Sequence, residues 1–160
     1  MRTNKYLTFL LIPFCLIGCK RDDSYKGDKI TLDYVEEGHL VESNVPEMKV
    51  NAFDNKVDSI YYIGDDSCAA CADFKPKLVT WCAQNHANIY YIKFTEMTQE
   101  ESSMLTDLTV GSIYEWGEKN TLPTTFFMMR GTLVFRGESS NTVSYLKKYV
   151  TVKSNSESVA

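Results

Sequence analysis

Short apolar runs separated by helix-period segments extend from about residue 30 to residue 152. Runs of four to six apolar or β-branched residues, bounded by Gly, Asp, Asn or Pro, are typical of buried strands. The pattern predicts strands at residues 30–35, 60–63, 89–94, 124–129 and 133–136. The last two flank Arg130-Gly131, which predicts a β-hairpin.

Apolar positions spaced three and four residues apart predict helices between these strands. A helix over residues 71–84 directs Phe74, Leu78, Trp81 and Cys82 to the core. Two further helices begin at pairs typical of capping boxes, and a fourth begins near Asn141. After the Asn44/Glu47 pair, the expected inward residues are Val50, Phe53 and Val57. After the Thr98/Glu101 pair they are Met104, Leu105 and Leu108, and in the helix that begins near Asn141 they are Val143, Leu146 and Val150. The order of elements predicts an α/β sandwich with a mixed central sheet flanked by helices.

The N-terminal segment has a targeting pattern rather than a core pattern. Arg2 and Lys5 precede an apolar stretch at residues 7–17, which is too short to span a bilayer. Leu16-Ile17-Gly18-Cys19 resembles a bacterial lipobox, in which the cysteine becomes the lipid-modified first residue. An ordinary signal peptide or an uncleaved anchor are the alternatives. We therefore predict a signal peptide at 1–18, a tether at 19–29, a domain at 30–153 and a disordered tail at 154–160.

Composition restricts the class of partner. The 160-residue chain is 44% hydrophobic and 24% charged, with a net charge of -4, and no basic stripe with interleaved aromatics occurs. One globular domain fits this length, and nucleic acid is not an expected partner. Removing residues 1–18 would leave Cys68, Cys71 and Cys82 as thiols, since Cys15 is lost and Cys19 carries lipid. Three thiols amount to one pair and one spare cysteine.

Cys68-Ala69-Ala70-Cys71 lies between a predicted strand and a predicted helix, a context that favours thiol redox chemistry over zinc binding. The helix N-terminus favours negative charge, so we expect the pKa of Cys68 below the free value of about 8.5. Cys71 lies one turn inside the helix and is expected to be less exposed. Cys82 is expected to be a buried structural thiol, with a regulatory or dimer-forming role as the alternative.

With the CxxC segment between a strand and a helix, and with Pro76 and Pro123 at matching positions after it, the chain from about residue 29 to 152 resembles the thioredoxin superfamily. The resemblance implies that Cys68 is the nucleophile and that Cys71 resolves the mixed disulfide. Pro76 matches the proline of the active-site helix, and Pro123 matches the cis-proline beside the active site. With Leu122 and Ser67, Pro123 is expected to bind an extended substrate. Thr124 and Gly131 match the residue after the cis-proline and the hairpin glycine.

Narrower resemblances point to two groups of exported proteins. The membrane signal and the Tyr-Tyr-Ile-Gly at residues 61–64 are similar to thioredoxin-like accessory proteins that accompany bacteriocin export in Gram-positive bacteria. The lysine after Cys19 and the pair Asp22-Asp23 resemble surface lipoproteins of Bacteroidetes-like bacteria.

The chain also departs from the family pattern. Thioredoxin has Trp-Cys-Gly-Pro-Cys and a buried aspartate six positions before the first cysteine, whereas this chain has Ser67 before Cys68 and Tyr62 at the earlier position. The proton acceptor is therefore missing from its usual place. Asp65, Asp66, Glu96 or water could substitute, and the direction of electron flow stays open.

These observations predict a membrane-tethered, extracytoplasmic thiol–disulfide oxidoreductase. It would need no organic cofactor or metal. Its partners would be protein or peptide thiols and disulfides, a redox partner protein, and the membrane through lipid on Cys19. A binding module accessory to peptide or protein export is one alternative. A zinc or copper carrier is another, for which His39 and His86 are the only histidines available.

Overall fold

The computed structural model describes residues 27–111, 116 and 122–156. Strands within these residues are β1 (Ile30–Leu32), β2 (Leu40–Glu42), β3 (Ser59–Gly64), β4 (Ile89–Lys93), β5 (Thr124–Met129), β6 (Thr132–Glu138) and β7 (Val150–Val152). The α-helices are α1 (Val45–Met48), α2 (Ala69–Asn85), α3 (Gln99–Thr109) and α4 (Thr142–Tyr149). A π-helical segment, Lys49–Asp54, continues α1, and a 3-10 turn, Phe94–Glu96, follows β4. The predictions for residues 1–18 and for lipidation of Cys19 lie outside the described residues.

The central sheet is mixed, as predicted. Its strand order is β2-β4-β3-β5-β6, with β2, β4 and β3 parallel to one another and β5 and β6 antiparallel to their neighbours. A separate two-stranded parallel sheet joins β1 to β7. The sequence pattern did not predict β2 or β7, because each is a three-residue strand without a continuous buried apolar run.

Strand β3 separates two hydrophobic clusters. Ile60 and Tyr62 face the cluster that includes α2 and α4 residues, whereas Tyr61 and Ile63 face the cluster that includes α1 and α3 residues. All six residues of β3 are buried. Successive side chains of a strand point to opposite faces, so helices on both sides bury it completely. The predicted α/β sandwich is confirmed.

Helix α1 shows one clear departure from the sequence pattern. The Asn44 side chain accepts a hydrogen bond from the Glu47 N–H at 2.8 Å, as a helix cap should. Beyond it, however, Val50 and Val57 are 49% and 42% exposed rather than inward-facing. Val50 lies in the π-helical segment, which winds with more residues per turn than an α-helix, so a position chosen at α-helical spacing leaves the buried face. Val57 lies beyond the end of this segment at Asp54.

Helix α2 is the longest helix of the described residues. It runs for 17 residues, or about 26 Å, from the CxxC segment to His86, which ends it with a φ of 54°. Its buried residues include Phe74, Leu78, Trp81 and Cys82, as predicted. No helix in residues 27–111, 116 and 122–156 combines the length and apolarity needed to cross a membrane.

Candidate active site

The two CxxC cysteines form a disulfide at the start of α2. Cys68 is the N-cap residue, and its Sγ accepts a hydrogen bond from the Cys71 N–H at 3.1 Å. The two Cα atoms lie 5.1 Å apart. Cys68 is half-buried, whereas Cys71 is only 2% exposed. One sulfur therefore lies within reach of a substrate, and the other is shielded.

The position of Cys68 favours negative charge on its sulfur once the disulfide is reduced. The first N–H groups of a helix have no partner within the helix, and the helix dipole is positive at this end. In α2 one of these N–H groups, that of Cys71, already points at Cys68 Sγ. The local fold thus favours a thiolate at Cys68, which is the reactive form of cysteine.

Asp65 holds the turn that precedes Cys68. Its carboxylate accepts hydrogen bonds from the Ser67 N–H at 2.8 Å, from the Ser67 hydroxyl and from the Thr95 N–H at 3.2 Å. Hydrogen bonds from Ser67 and then from Thr95 hold the pKa of Asp65 well below its usual range. Asp65 therefore stays ionised and fully engaged, so it fits a positioning role rather than the proton-acceptor role considered from the sequence.

Asp66 and Glu96, the other two carboxylates considered, are engaged in surface ion pairs. An Asp66 oxygen lies 3.6 Å from Lys75 Nζ, and the other lies 3.8 Å from Lys93 Nζ. Glu96 lies 2.8 Å from Lys93 Nζ. Within the described part of the chain, none of the hydrogen bonds of these two carboxylates reaches Cys68 or Cys71. The ion pairs instead connect the CxxC turn to the end of β4.

Tyr62 occupies the position at which the resemblance predicted a carboxylate. Its ring stacks on Tyr91 at 5.3 Å and meets the edge of Phe74 at 5.9 Å. The hydroxyl is buried and has no hydrogen-bond partner among the described residues. A Cβ at Gly64 would collide with this hydroxyl, so only glycine leaves room for it. Burial raises the pKa of Tyr62, so the side chain is neutral at physiological pH.

The cis-proline predicted from the sequence is present. The Leu122–Pro123 peptide bond is cis, and Pro123 is buried. Thr124, the next residue, pairs with Ile63 near the carboxyl end of β3. Ser67, which precedes Cys68, follows Ile63 by four residues in the chain. Pro123 and the CxxC segment therefore lie at the same edge of the sheet. Leu122 is partly buried against the cluster on the α3 side.

The third thiol, Cys82, is buried in the core and unpaired. Burial raises the pKa of Cys82 to about 11, so this thiol is protonated at physiological pH. The surroundings fit the structural role predicted from the sequence. Since a thiol reacts as the thiolate, burial and the raised pKa disfavour disulfide exchange at Cys82.

The histidines lie away from the cysteine pair. His86 caps the opposite end of α2, where its Nδ1 lies 3.0 Å from the Glu36 carbonyl oxygen. His39 Nδ1 lies 2.8 Å from the Glu37 carbonyl oxygen. Across residues 27–111, 116 and 122–156, no three His, Cys, Asp or Glu side chains are grouped as metal ligands.

Trp116 belongs to the core rather than to an open groove. It is buried, its backbone N–H donates to the Thr109 hydroxyl at 2.7 Å, and its ring meets Phe126 edge-on at 6.1 Å.

Known structures share this architecture at low sequence identity. Thioredoxin O1 from Arabidopsis thaliana, in its oxidized state, matches with a TM-score of 0.50 and 15% identity over 69% of this chain and 98% of its own. Thioredoxin from Malassezia sympodialis matches with a TM-score of 0.53 and 13% identity over 72% and 94%. No protein-family profile and no curated protein sequence matches the chain. The similarity establishes a thioredoxin-like fold.

Proposed function

We propose that this chain, with its thioredoxin-like fold, is a thiol–disulfide oxidoreductase that acts on protein or peptide substrates through Cys68 and Cys71. The observation that carries the proposal is the unequal pair at the start of α2. Cys68 is half-buried and its Sγ accepts a hydrogen bond from the Cys71 N–H at 3.1 Å, whereas Cys71 is buried. A buried structural disulfide would not need an accessible, hydrogen-bonded sulfur at a helix N-terminus.

In the reducing direction, the Cys68 thiolate attacks one sulfur of a substrate disulfide. A Cys68–substrate disulfide forms, and the first substrate sulfur leaves as a thiolate that takes up a proton. The Cys71 thiol, after losing its proton to water, then attacks Cys68 Sγ. The Cys68–Cys71 disulfide forms, and the second substrate thiol is released. Two electrons pass from the protein to the substrate, and a redox partner with a dithiol restores them.

In the oxidising direction the same steps run in reverse, and a partner disulfide regenerates the Cys68–Cys71 bond. The dominant direction depends on the reduction potential of the Cys68–Cys71 pair relative to that of its redox partners. Asp65 and Tyr62 affect that balance differently. Asp65 keeps a negative charge near the turn, whereas Tyr62 contributes no charge beneath it.

The substrate is proposed to bind as an extended segment beside Pro123. Proline has no backbone N–H, and the Leu122 backbone before it would pair with a substrate strand. Ser67, which is exposed next to Cys68, would contact the same segment. These two contacts are proposals made from the position of Pro123 and Ser67 at one edge of the sheet.

The decisive experiment is the reduction potential of the Cys68–Cys71 pair, measured by equilibrating the purified full chain with glutathione buffers. A potential near -270 mV identifies a reductant, and a potential near -120 mV identifies an oxidant that installs disulfides. Failure to form a reversible disulfide contradicts the proposed function. The binding-module alternative would then explain the fold better.

A trapping experiment separates exchange from simple binding. In Cys71→Ser the mixed disulfide at Cys68 has no internal resolving thiol, so covalent substrate adducts accumulate and disappear on reduction. Cys68→Ser is the matched control and forms no such adduct at this site. Biological function that survives replacement of both cysteines by alanine would contradict the oxidoreductase proposal and favour a binding module.

The location of the protein is proposed from the sequence alone. The lipobox-like Leu16-Ile17-Gly18-Cys19 supports export and attachment to the bacterial cell envelope through lipid on Cys19. Outside the cytoplasm, disulfides persist and substrates for such an enzyme are available. The sequence resemblance at residues 61–64 supports the further proposal that the protein belongs with the accessory proteins of bacteriocin export.

A further inference from the structure

Asp65 is a buried carboxylate that the exchange steps do not use. It is 5% exposed, and its two oxygens accept hydrogen bonds from the Ser67 N–H and hydroxyl and from the Thr95 N–H, all of which are neutral donors. Within the part of the chain that the structure describes, the ion pairs do not include Asp65. A charge in this setting acts strongly on its neighbours, because the protein interior screens it less than water does.

The turn from Asp65 to Cys68 is short and closed. The Cys68 N–H donates to the Asp65 carbonyl oxygen at 3.3 Å. A turn closed in this way keeps its first and last Cα atoms within about 7 Å of each other. The hydrogen bond from the Thr95 N–H ties the same carboxylate to the 3-10 turn after β4. Asp65 is therefore held in place near Cys68.

The other charged groups near this turn largely oppose one another. Asp66 lies between the ammonium groups of Lys75 and Lys93, and Lys93 also pairs with Glu96. The side chains of Asp66 and Glu96 are 67% and 71% exposed, so water and salt screen them. Asp73, on the first part of α2, is exposed as well. Each of these charges therefore has less influence on a buried neighbour than Asp65 has.

The remaining side chains near the turn add no charge. Burial raises the pKa of Tyr62 and of Tyr91, so both hydroxyls are neutral at physiological pH. Pro123 and Thr124, which reach the same edge of the sheet from β5, have uncharged side chains. Two opposing influences thus act on the Cys68 sulfur: the helix N-terminus favours negative charge there, and the Asp65 carboxylate disfavours it.

We propose that Asp65 is a positioning residue of disulfide exchange, which holds the CxxC turn and whose charge opposes the thiolate that the helix N-terminus favours at Cys68. The inference rests on the proposed function. A reduced pair is less stable when its thiolate is disfavoured, so it gives up electrons more readily and closes to the Cys68–Cys71 disulfide. Asp65 thereby biases the pair toward reduction of its substrates.

Site-resolved alkylation tests this proposal. The reduced full chain, in detergent, is treated with iodoacetamide from about pH 5 to about pH 10, and mass spectrometry of proteolytic fragments gives the rate at Cys68. Because only the thiolate reacts, the midpoint of this rate profile is the pKa of Cys68. We expect the midpoint to lie about one pH unit lower in Asp65→Asn than in wild type, because a like charge near the sulfur is removed.

The equilibrium with glutathione should move in the matching direction. The protein dithiol and oxidised glutathione give the Cys68–Cys71 disulfide and two molecules of reduced glutathione. At about pH 8 we expect the equilibrium constant for this oxidation to fall between about threefold and about tenfold in Asp65→Asn, and a tenfold fall corresponds to about 30 mV.

Two further variants separate charge from packing. Asp66→Asn is the matched control, because it removes the same charge from the same turn at an exposed side chain that two lysines oppose. We expect its midpoint within about 0.3 pH unit of wild type. Asp65→Glu keeps the charge and should restore most of the wild-type midpoint, whereas a purely structural role would make Asp65→Glu and Asp65→Asn alike.

The outcomes separate the two proposals. Equal midpoints in wild type and Asp65→Asn, or equal shifts in Asp65→Asn and either further variant, overturn the role of Asp65 while leaving disulfide exchange intact. If Asp65→Asn does not fold, Asp65→Ser replaces it, because its hydroxyl can accept the Ser67 N–H without a charge. If no reversible disulfide forms with glutathione, the proposed function itself fails, a result on which the alkylation midpoints do not depend.

Discussion

Cys68 and Cys71 have the same side chain, but their surroundings give the two sulfurs different roles. The Cys71 N–H donates to Cys68 Sγ, and Cys68 is the more exposed of the pair. Asp65 fixes the turn before them through Ser67 and Thr95. Exchange chemistry requires one accessible thiolate and one protected resolving thiol, and these contacts supply that asymmetry.

Alkylation should distinguish the thiols. In the reduced, folded protein we expect iodoacetamide to modify Cys68 at neutral pH at least tenfold faster than Cys82, because burial raises the pKa of Cys82 to about 11. Mass spectrometry of proteolytic fragments over time measures both rates. Denatured protein is the control, in which both cysteines should react. Comparable rates in the folded protein would show that Cys82 is more accessible than its burial implies.

Asp65→Asn should destabilise the protein in a pH-dependent way. Because the pKa of Asp65 is lowered in the folded state, its contribution to stability is fully present above the usual carboxyl pKa of about 3.9. That contribution is lost as the pH falls toward the lowered value, since the unfolded chain then binds a proton that the folded chain does not. The difference between wild type and variant in the free energy of unfolding should therefore shrink below about pH 4.

Urea titrations of both proteins at several pH values test this expectation. Asp73→Asn is the matched control, because Asp73 is exposed on the adjoining helix α2. The control should show little difference from wild type at any pH. If the free energies of unfolding of wild type and Asp65→Asn differed by the same amount at every acidic pH, the carboxylate charge would not stabilise the turn.

Among the elements, helices α2 and α3 each begin with a side-chain cap. The Cys68 sulfur caps α2, whereas Thr98 and Glu101 form a complete capping box at the start of α3. The Glu101 carboxylate accepts from the Thr98 N–H at 2.8 Å, and the Thr98 hydroxyl accepts from the Glu101 N–H at 3.1 Å. The α2 cap is thus the sulfur that we propose as the nucleophile, whereas the α3 cap consists of ordinary capping side chains.

Thr98→Ala should lower the free energy of unfolding by about 1 kcal/mol, because the Glu101 N–H loses its side-chain acceptor. Denaturant unfolding of the variant measures the loss. Ser103→Ala, an exposed change within the same helix, is the control and should be neutral or slightly stabilising. If the two variants were equally stable, the capping box would contribute nothing measurable to the fold.

At the scale of the whole molecule, the sheet brings distant segments to one edge. Strand β3 ends near the CxxC turn, and antiparallel pairing of Ile63 with Thr124 brings Pro123 to the same edge. Parallel pairing of β2 with β4 places Glu42 beside Tyr91 on the other side of β3. The Cys68–Cys71 disulfide therefore follows a central strand, with Pro123 on the β5 side and the β4–β2 pair on the opposite side.

Cys19→Ser should release the protein from the membrane fraction, because a serine at this position lacks the thiol that carries lipid. Fractionation of cells that express either form, together with metabolic labelling by a radioactive fatty acid, measures the change. Wild type should carry label and sediment with membranes. A membrane-bound, unlabelled wild-type protein would contradict the lipobox prediction and favour an uncleaved anchor.

The sequence alone predicted the elements whose signals are local. The apolar run of β3, the Cys68-to-Cys71 spacing at a helix start, the capping box of α3 and the hairpin at Gly131 all depend on neighbouring residues. Pro123 was predicted to be cis from the resemblance, and the structure has it so. Local conformational preference and periodicity are enough for such features.

Tertiary structure alone decided the features that depend on distant partners. Leu40–Glu42 becomes a strand only because β4 offers an edge to pair with, and Val50 becomes exposed because the chain after α1 winds as a π-helix. Asp65 was a candidate proton acceptor from the sequence. In the structure it is a positioning residue, because its carboxylate accepts a hydrogen bond from the N–H of Thr95, 30 residues away. Periodicity contains no information about such contacts, because they arise from packing between segments far apart in the chain.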